Sequence, residues 1–207
     1  MDLHLEPAEI RVVGSLIEKE ITTPEYYPLS LNALVNACNQ KSNRDPVVAY
    51  DDALVNLALE SLRHKGLLTT VTGSGSRVPK FGHRFADRLN LGRRETAILC
   101  ELMLRGPQTS GELRGRTERM HRFDDVAEIE SVLDRMPELL VKLPRRPGEK
   151  EGRYAHLLSG QPAIESVEDH APVRQDRLAA LEIEVSQLRQ EVDSLKTQFT
   201  AFRGQFE

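Results

Sequence analysis

One pattern of elements occurs twice along this chain. That constrains the fold more than any single element, because a chance match would have to succeed at every element twice over. The first copy opens at Glu6-Pro7-Ala8-Glu9, where proline in the first turn and acidic residues at the positive end of the dipole start a helix. Ile10, Val13, Ile17 and Ile21 follow at three- and four-residue steps, which predicts one buried stripe ending near Thr22-Thr23-Pro24. Ser30 can cap a second helix carrying Leu31, Leu34, Val35 and Cys38. A third helix is expected at Tyr50 to His64 with Val55, Ala58, Leu59 and Leu62 facing inward, closed by Lys65-Gly66. Leu67 to Val71 and Arg77 to Phe85 then read as two strands around Gly73-Ser74-Gly75-Ser76.

The second copy runs in the same order. Arg93 to Arg105 is a helix rich in Ile98, Leu99, Leu102 and Met103, stopped by Gly106-Pro107. Thr109 or Ser110 caps a short helix containing Leu113, and Asp124 to Met136 places Val126, Ile129 and Leu133 on one face. Leu139 to Leu143 and Arg153 to Leu158 form the second strand pair. Three helices followed by a β-hairpin is the winged-helix order. The expected fold class is therefore mainly α with small β-hairpins (α+β), as two tandem winged-helix domains over 1–88 and 89–160.

Beyond a polar linker at 161–172 the pattern changes to a coiled-coil helix at 173–207. Leu178, Leu181, Val185, Leu188, Val192, Leu195, Phe199, Phe202 and Phe206 are separated by alternating steps of three and four. With Leu178 at a, valine at a and leucine at d favour a parallel dimer. In that register Arg177 meets Glu182, Glu184 meets Arg189, Glu191 meets Lys196 and Gln198 meets Arg203, with no like-charge contact. A homodimer through this helix is the expected self-association. The alternative is a lone amphipathic helix folded back on its own domains.

The remaining composition narrows the function classes. No stretch has the roughly 18 uninterrupted apolar residues of a membrane span, and Met1 to Glu6 lacks a signal-peptide pattern, so a cytoplasmic location is expected. Cys38 and Cys100 lie in apolar helical runs and read as buried small hydrophobes. The six histidines show no metal-ligand spacing, the Gly73 to Ser76 run lacks a following Lys-Ser/Thr, and no Gly-x-Ser-x-Gly elbow exists. Neither a cofactor nor an enzymatic role is expected.

What remains is a set of polar and basic groups at positions a winged helix uses on nucleic acid. In the first domain these are Gln40, Lys41, Asn43 and Arg44 before the third helix, with Arg63, Arg77 and Lys80 near its end and on the wing. In the second they are Arg114, Arg116, Arg119 and Arg122, with Arg145, Arg146 and Lys150 on the wing. Against them stand a net charge of −4 and the carboxylates Asp51, Asp52, Glu60, Asp124, Asp125, Glu128, Glu130 and Asp134 on the two third helices. The run Asn36 to Arg44 has a structural alternative, in which its side chains cap the second helix and hold the following turn.

The run Pro24 to Pro46, PEYYPLSLNALVNACNQKSNRDP, resembles the YceH-like family of uncharacterised bacterial proteins. Lys80-Phe81-Gly82-His83-Arg84-Phe85 and Leu104-Arg105-Gly106-Pro107-Gln108-Thr109 extend the likeness over about residues 5 to 158. The resemblance implies a tandem winged-helix fold in a bacterial cytoplasm and carries no activity or catalytic residue with it. The function expected from these readings is a dimeric, transcription-regulator-like protein on double-stranded DNA. The alternative is a protein-protein interaction adaptor that uses winged-helix surfaces without DNA.

Overall fold

The structure is a computed structural model that describes residues 3–72, 78–145 and 148–162, together with Gln187 and Val192. The chain divides into two units, Met1–Ala163 and Ile164–Glu207. In the second unit the two described residues are helical and exposed. The rest of the heptad seam, from Leu178 to Phe206, lies outside the described residues.

The first unit is a mixed α+β structure. Its first half runs α1 (Pro7–Thr22), a 3-10 turn (Pro24–Tyr26), β1 (Leu29–Ser30), α2 (Leu31–Cys38), α3 (Asp52–His64), β2 (Leu68–Val71), β3 (Lys80–His83) and α4 (Phe85–Leu89). Its second half runs α5 (Arg93–Arg105), α6 (Ser110–Thr117), α7 (Val126–Leu133), β4 (Leu140–Lys142) and β5 (Tyr154–His156). Three helices and an antiparallel strand pair thus follow one another in each half. β2 pairs with β3 from Leu68 opposite His83 to Val71 opposite Lys80, and β4 pairs with β5 from Leu140 opposite His156.

Local chemistry sets the helix boundaries. Ser30 Oγ accepts the Ala33 N–H, Asp51 the Leu54 N–H, Thr109 the Glu112 N–H and Asp125 the Glu128 N–H, so four helices begin on a side-chain cap. Gly106, at φ 70°, ends α5 in a conformation that costs a residue with a Cβ. Gln108 completes that end, its Nε2 donating to the carbonyls of Arg105, Gly106 and Pro107.

The core is continuous across the two halves, and α1 is its centre. A single apolar stripe is expected for α1 from sequence, whereas every residue from Glu9 to Glu18 is buried. The reason is that α1 is covered by α2, α3 and β3 on the side of its own half and by α5 from the other. Gly14 permits the close approach of α5, because a Cβ there would lie 2.9 Å from Leu104 Cδ2. Cys100 donates its thiol hydrogen to the Gly14 carbonyl at 3.3 Å, and both cysteines are free and buried.

Two local expectations are corrected. The second strand of the first hairpin is shorter than Arg77 to Phe85: it ends at His83, and Phe85 starts α4 with its ring fully buried. β1, only two residues long, adds to β3 with Leu29 opposite Phe81, which makes the first sheet three-stranded in the order β1-β3-β2.

Candidate nucleic-acid interface

Within the polar run between α2 and α3, Arg44 is buried and Asn39 and Asn43 are half-buried, while Lys41 and Ser42 are exposed. Asn39 acts as a surrogate peptide, its Nδ2 donating to the Tyr50 carbonyl at 2.7 Å while its Oδ1 accepts the Tyr50 N–H at 2.8 Å. Asn43, at φ 58°, accepts from Arg105 Nη2 through its side-chain oxygen. The Asp45 N–H donates to the Leu104 carbonyl at 2.9 Å. These bonds join the run to the end of α5.

Arg44 is the pivot of this connection and corrects its expected placement on the nucleic-acid surface. Its side chain is 0% exposed. Nε and Nη2 donate to the Ala37 carbonyl at 3.1 and 2.8 Å, Nη1 to the Asn43 carbonyl at 2.8 Å, and Nη2 also to Glu18 Oε2 at 2.6 Å. A guanidinium with its donors committed inside the protein is not offered to a phosphate. The other Glu18 oxygen accepts from Arg119 Nη2 at 3.0 Å, so one buried carboxylate ties the first half to the second. Burial pushes the Glu18 carboxyl up, but the Arg44 hydrogen bond and charge outweigh it and hold the group below the ordinary carboxylate range.

A second buried carboxylate lies close by. Burial raises the Glu101 pKa despite Arg105, whose Nε is 2.9 Å from Oε2 with its N–H not directed at that oxygen. Arg11 completes the internal charges, donating to the carbonyls of Cys38 and Pro46 at 3.4 and 2.6 Å. Sequence reasoning missed Glu18, Glu101 and Arg11. Their one readable signal is a charge recurring inside an apolar helix, as in the i,i+4 pair Glu101 and Arg105.

The remaining basic positions divide into engaged and open groups. Gln40 accepts weakly from Lys19 at 3.4 Å, Arg114 donates to the Asp124 carbonyl at 2.8 Å, and Arg116 lies 3.5 Å from Glu112. Lys41, Arg63, Arg122, Arg145 and Lys150 are exposed without an ion-pair partner among the described residues, and Lys80 is half-buried on β3. Arg145 and Lys150 line an open cleft of about 630 Å³ with Ser110, Glu130, Lys142 and Glu151. Arg77 and Arg146 lie outside the described residues.

The outward face of α3 carries a different chemistry. Leu57 is 64% exposed and Leu54 38%, and Asp51, Asp52 and Glu60 beside them are exposed as well. On α7 the outward groups are Val126, Glu130 and Asp134, while Glu128 pairs with Arg94 at 3.0 Å. Arg63 therefore sits in the last turn of α3 and the other basic groups lie outside the two third helices, none on the middle of their outward faces. No group of His, Cys, Asp and Glu able to hold a metal occurs among the described residues, and no helix there is long and apolar enough to cross a membrane.

Comparison with known proteins agrees with this architecture in extent. Residues 5–149 match the model of the family described as a protein of unknown function, DUF480. The chain is 55% identical to a UPF0502 protein of Solibacter usitatus over 209 residues, covering the whole of both chains. It is 50% identical to a UPF0502 protein of Geobacter sulfurreducens over 220 residues, again covering both in full. A UPF0502 protein of Aeromonas hydrophila is 46% identical over 217 residues, with 99% of this chain and all of the relative covered. The chain belongs to the DUF480 (UPF0502) family of uncharacterised bacterial proteins.

Proposed function

We propose that this chain is a tandem winged-helix adaptor that docks a protein partner on the outward face of α3 and is paired as a parallel homodimer by its C-terminal heptads. The recurrence of three helices and a hairpin supports the winged-helix reading, and the seam from Leu178 to Phe206 supports the dimer. One observation carries the choice of partner. The helix that a winged-helix protein turns toward its target presents Leu54 and Leu57 between Asp51, Asp52 and Glu60. Exposed leucines gain by burial against apolar side chains, whereas the carboxylates repel a polyanion and attract lysine or arginine. The partner surface that fits is an apolar segment flanked by basic residues.

Tagged wild-type protein and Leu54→Glu/Leu57→Glu, expressed in the native cell and purified without nucleic acid, test this reading. A stoichiometric protein retained by the wild type and lost from the variant is the expected result. Equal recovery by the wild type and the variant refutes the α3 assignment.

A second reading, binding to double-stranded DNA, draws on Lys41, Arg63, Arg122 and Arg145, which are exposed and unpaired among the described residues. Anisotropy titration against genomic fragments at low and moderate salt separates the two. DNA affinity that falls steeply with salt and is weakened by Lys41→Glu and Arg122→Glu would favour this reading.

A further inference from the structure

A concavity at the C-terminal end of α3 has the chemistry of an anion site. α3 ends at His64, the chain turns through Lys65 and Gly66, and α4 begins after Arg84. Between them lies an open cleft of about 530 Å³ lined by His64, Lys65, Gly66, Arg84, Asp87 and Arg88. Its size falls within the range of small-ligand sites.

The charges in this cleft are unevenly balanced. Lys65 is spent locally, its Nζ lying 2.7 Å from both Glu9 oxygens and 2.8 Å from the His4 carbonyl. Arg84, the residue before α4, and Arg88 within it both line the cleft, and neither guanidinium has a partner among the described residues. Asp87 is the one carboxylate in the lining. Two cations lining one recess repel each other, and an anion set between them would reverse that sign.

Backbone geometry keeps the space open. Gly66 has φ +71°, which the turn requires, and a Cβ at that position would sit 4.0 Å from Arg88 Nε. Three carbonyls at the end of α3, which would repel an anion, already accept hydrogen bonds: Lys65, Gly66 and Leu67 N–H groups donate to Ser61, Arg63 and Leu62. Two guanidinium forks facing a concave floor match the oxygens of a phosphate.

We infer that this cleft binds the terminal phosphate of a small phosphorylated molecule, with Arg84 and Arg88 as the ligating pair and Asp87 placed to accept from a hydroxyl of its organic part. A concave recess between a turn and a helix suits a terminal dianion better than the convex ridge of a duplex backbone. The same chemistry can come from nucleic acid, and the experiment separates the sources.

Full-length protein labelled at arginine is titrated with inorganic phosphate, with sodium chloride at matched ionic strength and with a short DNA duplex, reading the side-chain Nε–H signals by NMR. Saturable shifts at Arg84 and Arg88 with phosphate and none with chloride are expected. Arg84→Gln/Arg88→Gln should weaken phosphate binding about tenfold or more, the scale of a lost hydrogen bond to a charged group, whereas Lys41→Gln/Arg122→Gln should not. In the wild type, phosphate should also protect both arginines from phenylglyoxal. No saturable shift up to tens of millimolar, an equal response to chloride, or an undiminished response in the double variant overturns the proposal. Tighter saturation of the same signals by the duplex than by phosphate overturns the small-molecule assignment.

Discussion

Arg44→Met tests whether the central arginine of the polar run holds the fold together or waits for a ligand. The substitution keeps most of the apolar stem and removes four hydrogen bonds, two to Ala37 and one each to Asn43 and Glu18. It also leaves Glu18, 1% exposed, with Arg119 at 3.0 Å and Lys19 at 3.6 Å as its remaining cationic partners. Breaking a buried pair by removing one member costs ~3–5 kcal/mol. Arg119 stays on the other oxygen but is itself 46% exposed, so the cost falls near the lower end, about 3 kcal/mol. For a unit of this size, each kcal/mol lowers Tm by roughly 2–4 °C, giving a fall of about 6–12 °C. The pH dependence supplies a second readout. In the wild type the Glu18 pKa lies below its ordinary 4.5, so its contribution is present above that value and is lost as pH falls through the lower folded value. Without Arg44, the largest opposing contribution to burial is gone and Lys19 and Arg119 remain, so the carboxyl should move up and the variant should lose stability, relative to wild type, as pH rises. The gap between wild type and variant should therefore widen from pH 5 to pH 8. Thermal melts at both pH values, repeated for Glu18→Gln/Arg44→Met, measure it. A Tm within about 2 °C of wild type, or a gap unchanged by pH, would refute the argument. So would a normal melt combined with weaker DNA binding, because that is the signature of a surface phosphate ligand.

Two further perturbations address the packing and the assembly. Gly14→Val places branched carbon against Leu104 at the α1–α5 contact, where even a Cβ would approach to 2.9 Å. It should cost ~1–3 kcal/mol by overpacking, and an unchanged denaturant midpoint would mean that α5 does not close on α1 there. Removing residues 173–207 should convert a dimer into a monomer in sedimentation velocity. A full-length chain that already sediments as a monomer at high micromolar concentration defeats the heptad reading.

Local chemistry made most of the first unit legible. The caps Ser30 and Thr109, the breaker Gly106 and the inward set Val55, Ala58, Leu59 and Leu62 all act as their spacing indicates. Elements set by tertiary contact were less accessible. β1 is too short to carry a period of two, and α4 follows a strand of similar apolar content, so neither stands out in a one-dimensional pattern. The full burial of α1 has the same origin. Its other positions include Gly14, which meets Leu104 of α5, and Arg11, which meets the Cys38 and Pro46 carbonyls, a mixture that forms no apolar stripe in one dimension.

The candidate site was less readable for a physical reason that Arg44 illustrates. A guanidinium meets a phosphate and a buried carboxylate through the same fork of donors, so residue type alone does not separate ligand from tie. Burial does, and it separates neighbours two and three positions apart: Arg44 is internal while Lys41 and Ser42 are exposed. The same tie bears on how a partner would be met. Glu18 holds Arg44 beside α2 and Arg119 beyond α6, and Asn43 and Asp45 hold α5. α3 and α7 are thereby fixed to one common core and not to two bodies joined by a hinge. A partner that touched both helices would lose little orientational freedom between them on binding, because that order is already built into the fold. Cutting the tie while leaving both outward faces intact would then weaken a two-helix contact and spare a contact made by α3 alone.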